Sequence, residues 1–112
     1  MLYDFLDMAN NYRERKVDRY EQCEILVDTA LVNDAEKPYE TAIEHPMYND
    51  RIMIIVEYYD TKEDAQNGHD RWVELLTGNN LPDVITDVST AETAKLLDSL
   101  ENDRLKKFQR KE

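Results

Sequence analysis

The chain has 112 residues, 41% of them hydrophobic, and 25 acidic against 14 basic side chains for a formal charge of −11. That length supports one core and not two. A single cysteine, Cys23, excludes an internal disulfide framework and a multi-cysteine zinc site, and the acidic balance disfavours contact with a phosphate backbone.

Charge is unevenly spread. The last twelve residues, ENDRLKKFQRKE, carry five bases and three acids, which leaves residues 1 to 100 with 9 bases against 22 acids. An acidic body with a charged C-terminal arm is expected, divided at residue 100. No apolar run approaches the ~20 residues that cross a bilayer. The start, MLYDFLDMANN, has acids where an export signal carries positive charge. A reducing cytoplasm and no membrane contact are the corresponding expectations.

In chain order, Leu2, Phe5, Leu6, Ala9 and Tyr12 recur at helical spacing, so residues 2 to 12 read as a short amphipathic helix. From Arg15 to Val32 the pattern alternates, with Ile25, Val27, Thr29 and Leu31 on one side; this is a strand, with KVDRY as a weaker partner. VNDAEKP then turns the chain. Pro38 to Glu44 and Arg51 to Tyr59 read as an antiparallel hairpin joined by HPMYND. Pairing Glu44 with Arg51 sets Ile43 opposite Ile52, Thr41 opposite Ile54 and Tyr39 opposite Val56 on one face. The second of these strands is apolar on both sides and is expected at the centre of its sheet.

Thr61 to Thr77 is the clearest helix: Thr61 caps it, an acid follows three residues on, and Ala65, Gly68, His69, Trp72, Val73 and Leu76 form one stripe. Gly78 ends it. LPDVITDV reads either as a short edge strand or as an extended connector, with Pro82 barring a central strand. STAE opens a further helix through Leu96, Leu97 and Leu100, beyond which Leu105 and Phe108 are the apolar contacts of a helical arm or tail spanning 101 to 112. The fold expected is α+β: an antiparallel sheet of four to five strands, a packed helix, and flanking terminal helices, in one domain over residues 1 to 100.

Chemistry has few carriers. The two histidines, His45 and His69, fall roughly 15 to 20 Å apart if the helix runs back along its strand, from about 1.5 Å per helical and 3.3 Å per strand residue. His69, between Ala65 and Val73, is read as a core histidine held by a hydrogen bond, against a functional one tuned by Asp70 or Tyr58. His45, with Glu44 and Asp50, is read as part of a turn, replaceable by alanine without loss of fold. Glu21 and Glu24 beside Cys23 oppose a thiolate nucleophile. Nucleophile elbows, phosphate loops, dinucleotide fingerprints and zinc-helix motifs are absent from the sequence. No cofactor, metal or catalytic residue is expected, and the reading is non-enzymatic.

MANNYRERKVDRYE, PYETAIEHPMYN, EYYDTKEDAQNGHDRWVELLTG and the LPD that follows together resemble a group of small proteins without assigned activity found in bacteriophage and prophage genomes. The resemblance spans residues 8 to about 92. It implies a setting, the bacterial host cytoplasm or the virion, and a protein partner, either a phage structural protein or a host protein. Three functions follow as expectations. The first is an interaction protein, with Leu105 and Phe108 of the arm in contact and a homo-oligomer available to cover the sheet. The second is an acidic mimic of nucleic acid that inhibits a host enzyme, with Glu57, Asp60, Glu63, Asp64, Asp70 and Glu74 as a continuous stripe. The third is a small enzyme or metal-binding protein centred on His69.

Overall fold

The computed structural model describes residues 15–32, 37–89 and 105–111. Four strands form one antiparallel sheet in the order β1 (Lys16–Gln22), β2 (Ile25–Leu31), β3 (Tyr39–Glu44) and β4 (Ile54–Tyr59). Helix α1 (Lys62–Thr77) crosses one face of it, and β5 (Val84–Thr86) pairs antiparallel with β6 (Lys107–Gln109) in a second, two-stranded sheet. The α+β class is as the sequence pattern gives it. The helices expected over residues 2–12 and after Ser89 lie outside the described residues.

The first hairpin follows from alternation. Val27 and Thr29 of β2 are fully buried towards α1, and they lie opposite Ile43 and Thr41 of β3. Its turn is two residues long, because Gln22 pairs with Ile25. Cys23 and Glu24 therefore take φ of 53° and 68°, the left-handed geometry that matches strand twist but usually selects Asn and Gly.

The second hairpin departs from expectation in register. Ile43 faces Ile54 and Ala42 faces Ile55, two residues beyond the expected pairing. An even slip keeps side chains on their expected sides, so an isoleucine still covers Ile43. Residues 45 to 53 are consumed by a larger loop: His45 bridges back to Tyr48, Tyr48 is completely buried with its hydroxyl on the Pro82 carbonyl, and Asn49–Arg51 form a tight turn. The Glu44–Arg51 pair is replaced by one between Arg51 and Glu24 at 2.8 Å.

A bulge then changes the phase of β4. Ala42 faces Ile55 but Thr41 faces Glu57, so Val56 is the extra residue. Ile54 and Tyr59, five residues apart, consequently both lie under the helix, and Glu57 joins them. β4 is also the outer strand of its sheet rather than a central one. Its outer edge is met by the chain beyond β5, where the Val88 amide donates to the Ile55 carbonyl at 2.8 Å.

The C-terminal segment corrects the expectation of a helical arm. Lys107–Gln109 is a strand, flanked by bonds from Asp87 N–H to the Lys106 carbonyl and from Arg110 N–H to the Asp83 carbonyl, each 2.8 Å. Leu105 is buried and Phe108 packs on the core. A three-residue β5 cannot satisfy its backbone alone, and pairing with β6 supplies its partner.

Thr61 accepts the Asp64 amide at 3.1 Å and caps α1 as expected. Ala65, Gly68, His69 and Leu76 are its buried residues. A Cβ on Gly68 would stand 2.3 Å from the Tyr59 ring, so glycine sets how near the helix lies to β4. Gly68→Ala is expected to destabilise the fold by about 1–3 kcal/mol through overpacking, although alanine is the better helix former. Urea unfolding would show the loss, and Tyr59→Leu should recover part of it; a Gly68→Ala protein as stable as the parent would contradict this packing.

Candidate functional site: the groove beside His69

A line of polar side chains runs between helix and sheet. His69 Nδ1 lies 2.8 Å from Thr29 Oγ1, Thr29 Oγ1 is 2.6 Å from Thr41 Oγ1, and Thr41 Oγ1 is 3.0 Å from the Tyr59 hydroxyl. Tyr59 donates to Glu57 Oε1 at 2.8 Å. The same oxygen accepts from Trp72 Nε1 at 3.0 Å and Arg71 Nη2 at 3.4 Å. Thr29, Thr41 and His69 are buried, and burial satisfied in this way costs little.

The chain of hydroxyls has a direction. Glu57 Oε1 already accepts from an indole N–H that can only donate, so the Tyr59 proton points at Glu57. Tyr59 must then accept from Thr41, Thr41 from Thr29, and Thr29 from His69. Nδ1 therefore carries the proton and Nε2 of the neutral ring has a lone pair.

Nε2 faces a groove of about 300 Å³ lined by Asp18, Arg19 and Tyr20 of β1 and by His69, Asp70, Val73 and Glu74 of α1. The imidazole is only 2% exposed. Asp18 Oδ2 stands 3.7 Å from Nε2, beyond hydrogen-bond reach. The Gln66 amide bridges Asp18 Oδ2 at 2.9 Å and Asp70 Oδ1 at 3.1 Å. That amide, ahead of the opposing effect of burial, holds the Asp18 carboxyl below its ordinary value. Burial pushes His69 below the usual imidazole range, although Asp18, Asp70 and Asp28 pull the other way. Arg19 is the basic residue of the groove, and its guanidinium pairs with Glu21 at 3.0 Å and Asp28 at 3.4 Å.

The chain matches no protein-family model, no curated protein and no solved structure.

The acidic residues expected in one stripe separate. Glu57 is turned inward by the bulge. Glu63, Asp70 and Glu74 share one side of α1 at spacings of seven and four, and the last two line the groove. Asp64 lies one residue round from Glu63, and Asp60 precedes the helix. Leu105 and Phe108 contribute to packing. Among the described residues no three His, Cys, Asp or Glu side chains converge to hold a metal ion, and no helix is long and apolar enough to cross a membrane.

His45 is more than a turn residue. It is 4% exposed and its Nδ1 accepts the Met47 amide at 3.0 Å. Alanine there is expected to leave a cavity and an unpaired Met47 amide, so the structure argues for a loss of stability where the turn reading expects tolerance. Asp18 in the groove lining and the buried Thr29 that holds His69, opposite each other in register, are residues that spacing alone did not single out. A threonine at a buried position, beside a helix histidine, was the available signal.

A second region gathers backbone strain. All five non-glycine residues with positive φ among the described residues, Cys23, Glu24, Asn49, Asp50 and Arg51, fall in two turns joined by the Arg51–Glu24 pair. Each costs on the order of 1 kcal/mol unless held in place. Lys111 holds Asp50 through its ammonium and the Met47 carbonyl through its amide at 2.9 Å. Directly after the strained turn come Ile52 and Met53, 63% and 45% exposed.

The imidazoles set a pH dependence. Because burial lowers both below the unfolded value of about 6.5, the unfolded chain takes up protons before the folded one as pH falls. Stability is therefore full above about pH 6.5 and declines below it until the folded groups titrate. In His69→Gln that decline should be shallower. Thermal unfolding of both proteins from pH 7.5 to 5 checks this, and parallel profiles would contradict it.

Proposed function

We propose that this chain is a non-enzymatic protein-binding module of phage or prophage origin that engages a phage structural protein or a host protein. The observation that carries the reading is the pair Ile52 and Met53, held outside the core by three consecutive left-handed residues. Burying one such side chain is worth about 1.5–3 kcal/mol, and strained backbone persists where surrounding contacts enforce it. Here the buried Tyr48 ring, the bond from Lys111 N–H to the Met47 carbonyl and, weakly, the exposed Glu24–Arg51 and Asp50–Lys111 pairs contribute to this. A rigid apolar projection suits a folded partner with an apolar pocket. The bacterial cytoplasm or the virion is the setting that the resemblance to phage proteins supports.

The acidic mimic has less support, since Glu57 Oε1 is already engaged by Tyr59, Trp72 and Arg71. The groove beside His69 is open, with charged side chains beside an apolar wall, which suits small-molecule binding as a separate activity.

Recovery of partners from phage-infected cells, compared between the parent and Ile52→Asp/Met53→Asp, tests the proposal. Both side chains are exposed, so the variant should unfold within about 0.5 kcal/mol of the parent and lose the partner at least about tenfold, with binding insensitive to salt. Equal recovery by the variant would contradict the assignment of the surface. A nucleic-acid enzyme recovered at low salt and lost at high salt would favour the mimic instead. Concentration-dependent dimerisation abolished by the same variant would place a second copy of the chain on this surface.

A further inference from the structure

The geometry points to a second, independent site: the groove between β1 and α1 binds the head group of an alkylguanidinium or alkylammonium, with His69 Nε2 as a hydrogen-bond acceptor. The observation is an imbalance of donors and acceptors. The relay to Glu57 consumes the imidazole proton at Nδ1, so Nε2 offers a lone pair. Opposite stands the Asp18 carboxylate, also an acceptor, at 3.7 Å. Two acceptors at that separation are bridged by one ammonium or by two N–H groups of a guanidinium, each within about 3 Å. Asp70 and Glu74 complete an anionic rim.

A cluster of acids alone would define only an attractive surface. Here a side chain that is 98% buried is fixed by Thr29 and aimed into the cluster without a hydrogen bond at Nε2. The protein has immobilised that atom in advance, which is what recognition requires. The rest of the lining fits the same ligand class: Tyr20 and Val73 give an apolar wall for an alkyl stem. Arg19 pairs with Glu21 and Asp28. A metal ion fits less well, because among the described residues no set of three ligands converges.

Two sources share this chemistry, a free amine such as a polyamine or agmatine, and an arginine or lysine side chain of a protein. The test is titration of the full chain at pH 7.5 with agmatine, with a capped Gly-Arg-Gly peptide, and with tetramethylammonium, followed by calorimetry and by the ring nitrogen resonances of His69. Saturable binding of the first two that perturbs Nε2, with tetramethylammonium silent, is expected because the latter has charge but no N–H to donate. Asp18→Asn should weaken agmatine about tenfold or more, as loss of a charge-assisted bond does. Stronger binding of the peptide would identify a protein side chain as the source; equal or stronger binding of agmatine would identify a free amine. Equal binding of tetramethylammonium, or agmatine affinity unchanged in both Asp18→Asn and His69→Phe, would overturn the proposal. Ile52→Asp should bind agmatine normally, which separates failure here from failure of the protein-docking surface.

Discussion

One carboxylate oxygen orders the interior. Glu57 Oε1 gathers the Tyr59 hydroxyl, the Trp72 indole and the Arg71 guanidinium, and thereby ties β4 to α1 at the point where a core would ordinarily be hydrocarbon. Since every hydroxyl beyond it has a single proton, the preference of that oxygen is transmitted through Tyr59, Thr41 and Thr29 to the ring of His69. The residues of the relay come from β2, β3, β4 and α1, so its geometry depends on the whole helix–sheet packing. Such a network is stabilising only when each member is satisfied, which is why Gly68 must let the helix sit close over Tyr59.

The bulge at Val56 makes the relay available. Without it, strict alternation from Ile54 would put Val56 and Tyr58 under the helix, and Glu57 and Tyr59 on the opposite side. The two-residue shift in pairing has a separate effect at the other end of the hairpin. It withdraws Ile52 and Met53 from the sheet and gives their place to Ile54 and Ile55. A polar interior and an apolar projection thus follow from one irregular strand.

Much of the architecture was legible in the sequence. Period-two alternation located β2 and β3, and the helical stripe with Thr61 as cap located α1 to within a residue. His69 was rightly read as buried with a hydrogen bond, though its second nitrogen faces a groove that no local pattern reveals. What the sequence concealed depends on long-range choices. Hairpin register was misjudged because Ile52 and Ile54 are interchangeable by pattern, and the decision falls to the burial of Tyr48 and His45. Leu105 and Phe108 are spaced as a helix would space them, yet the backbone needs of β5 draw that segment into a strand. Glu57 looked like surface charge because a bulge leaves no trace in hydropathy.

The most direct measurement of the relay is the protonation state of each ring nitrogen of His69 by long-range nitrogen–proton NMR on uniformly labelled protein at pH 7.5. A proton on Nδ1 and a bare Nε2, reverting to the mixed tautomers of a free imidazole in Tyr59→Phe, is the expected result. A proton fixed on Nε2 would mean that the hydroxyls point the other way, and that Glu57 does not set the direction of the chain.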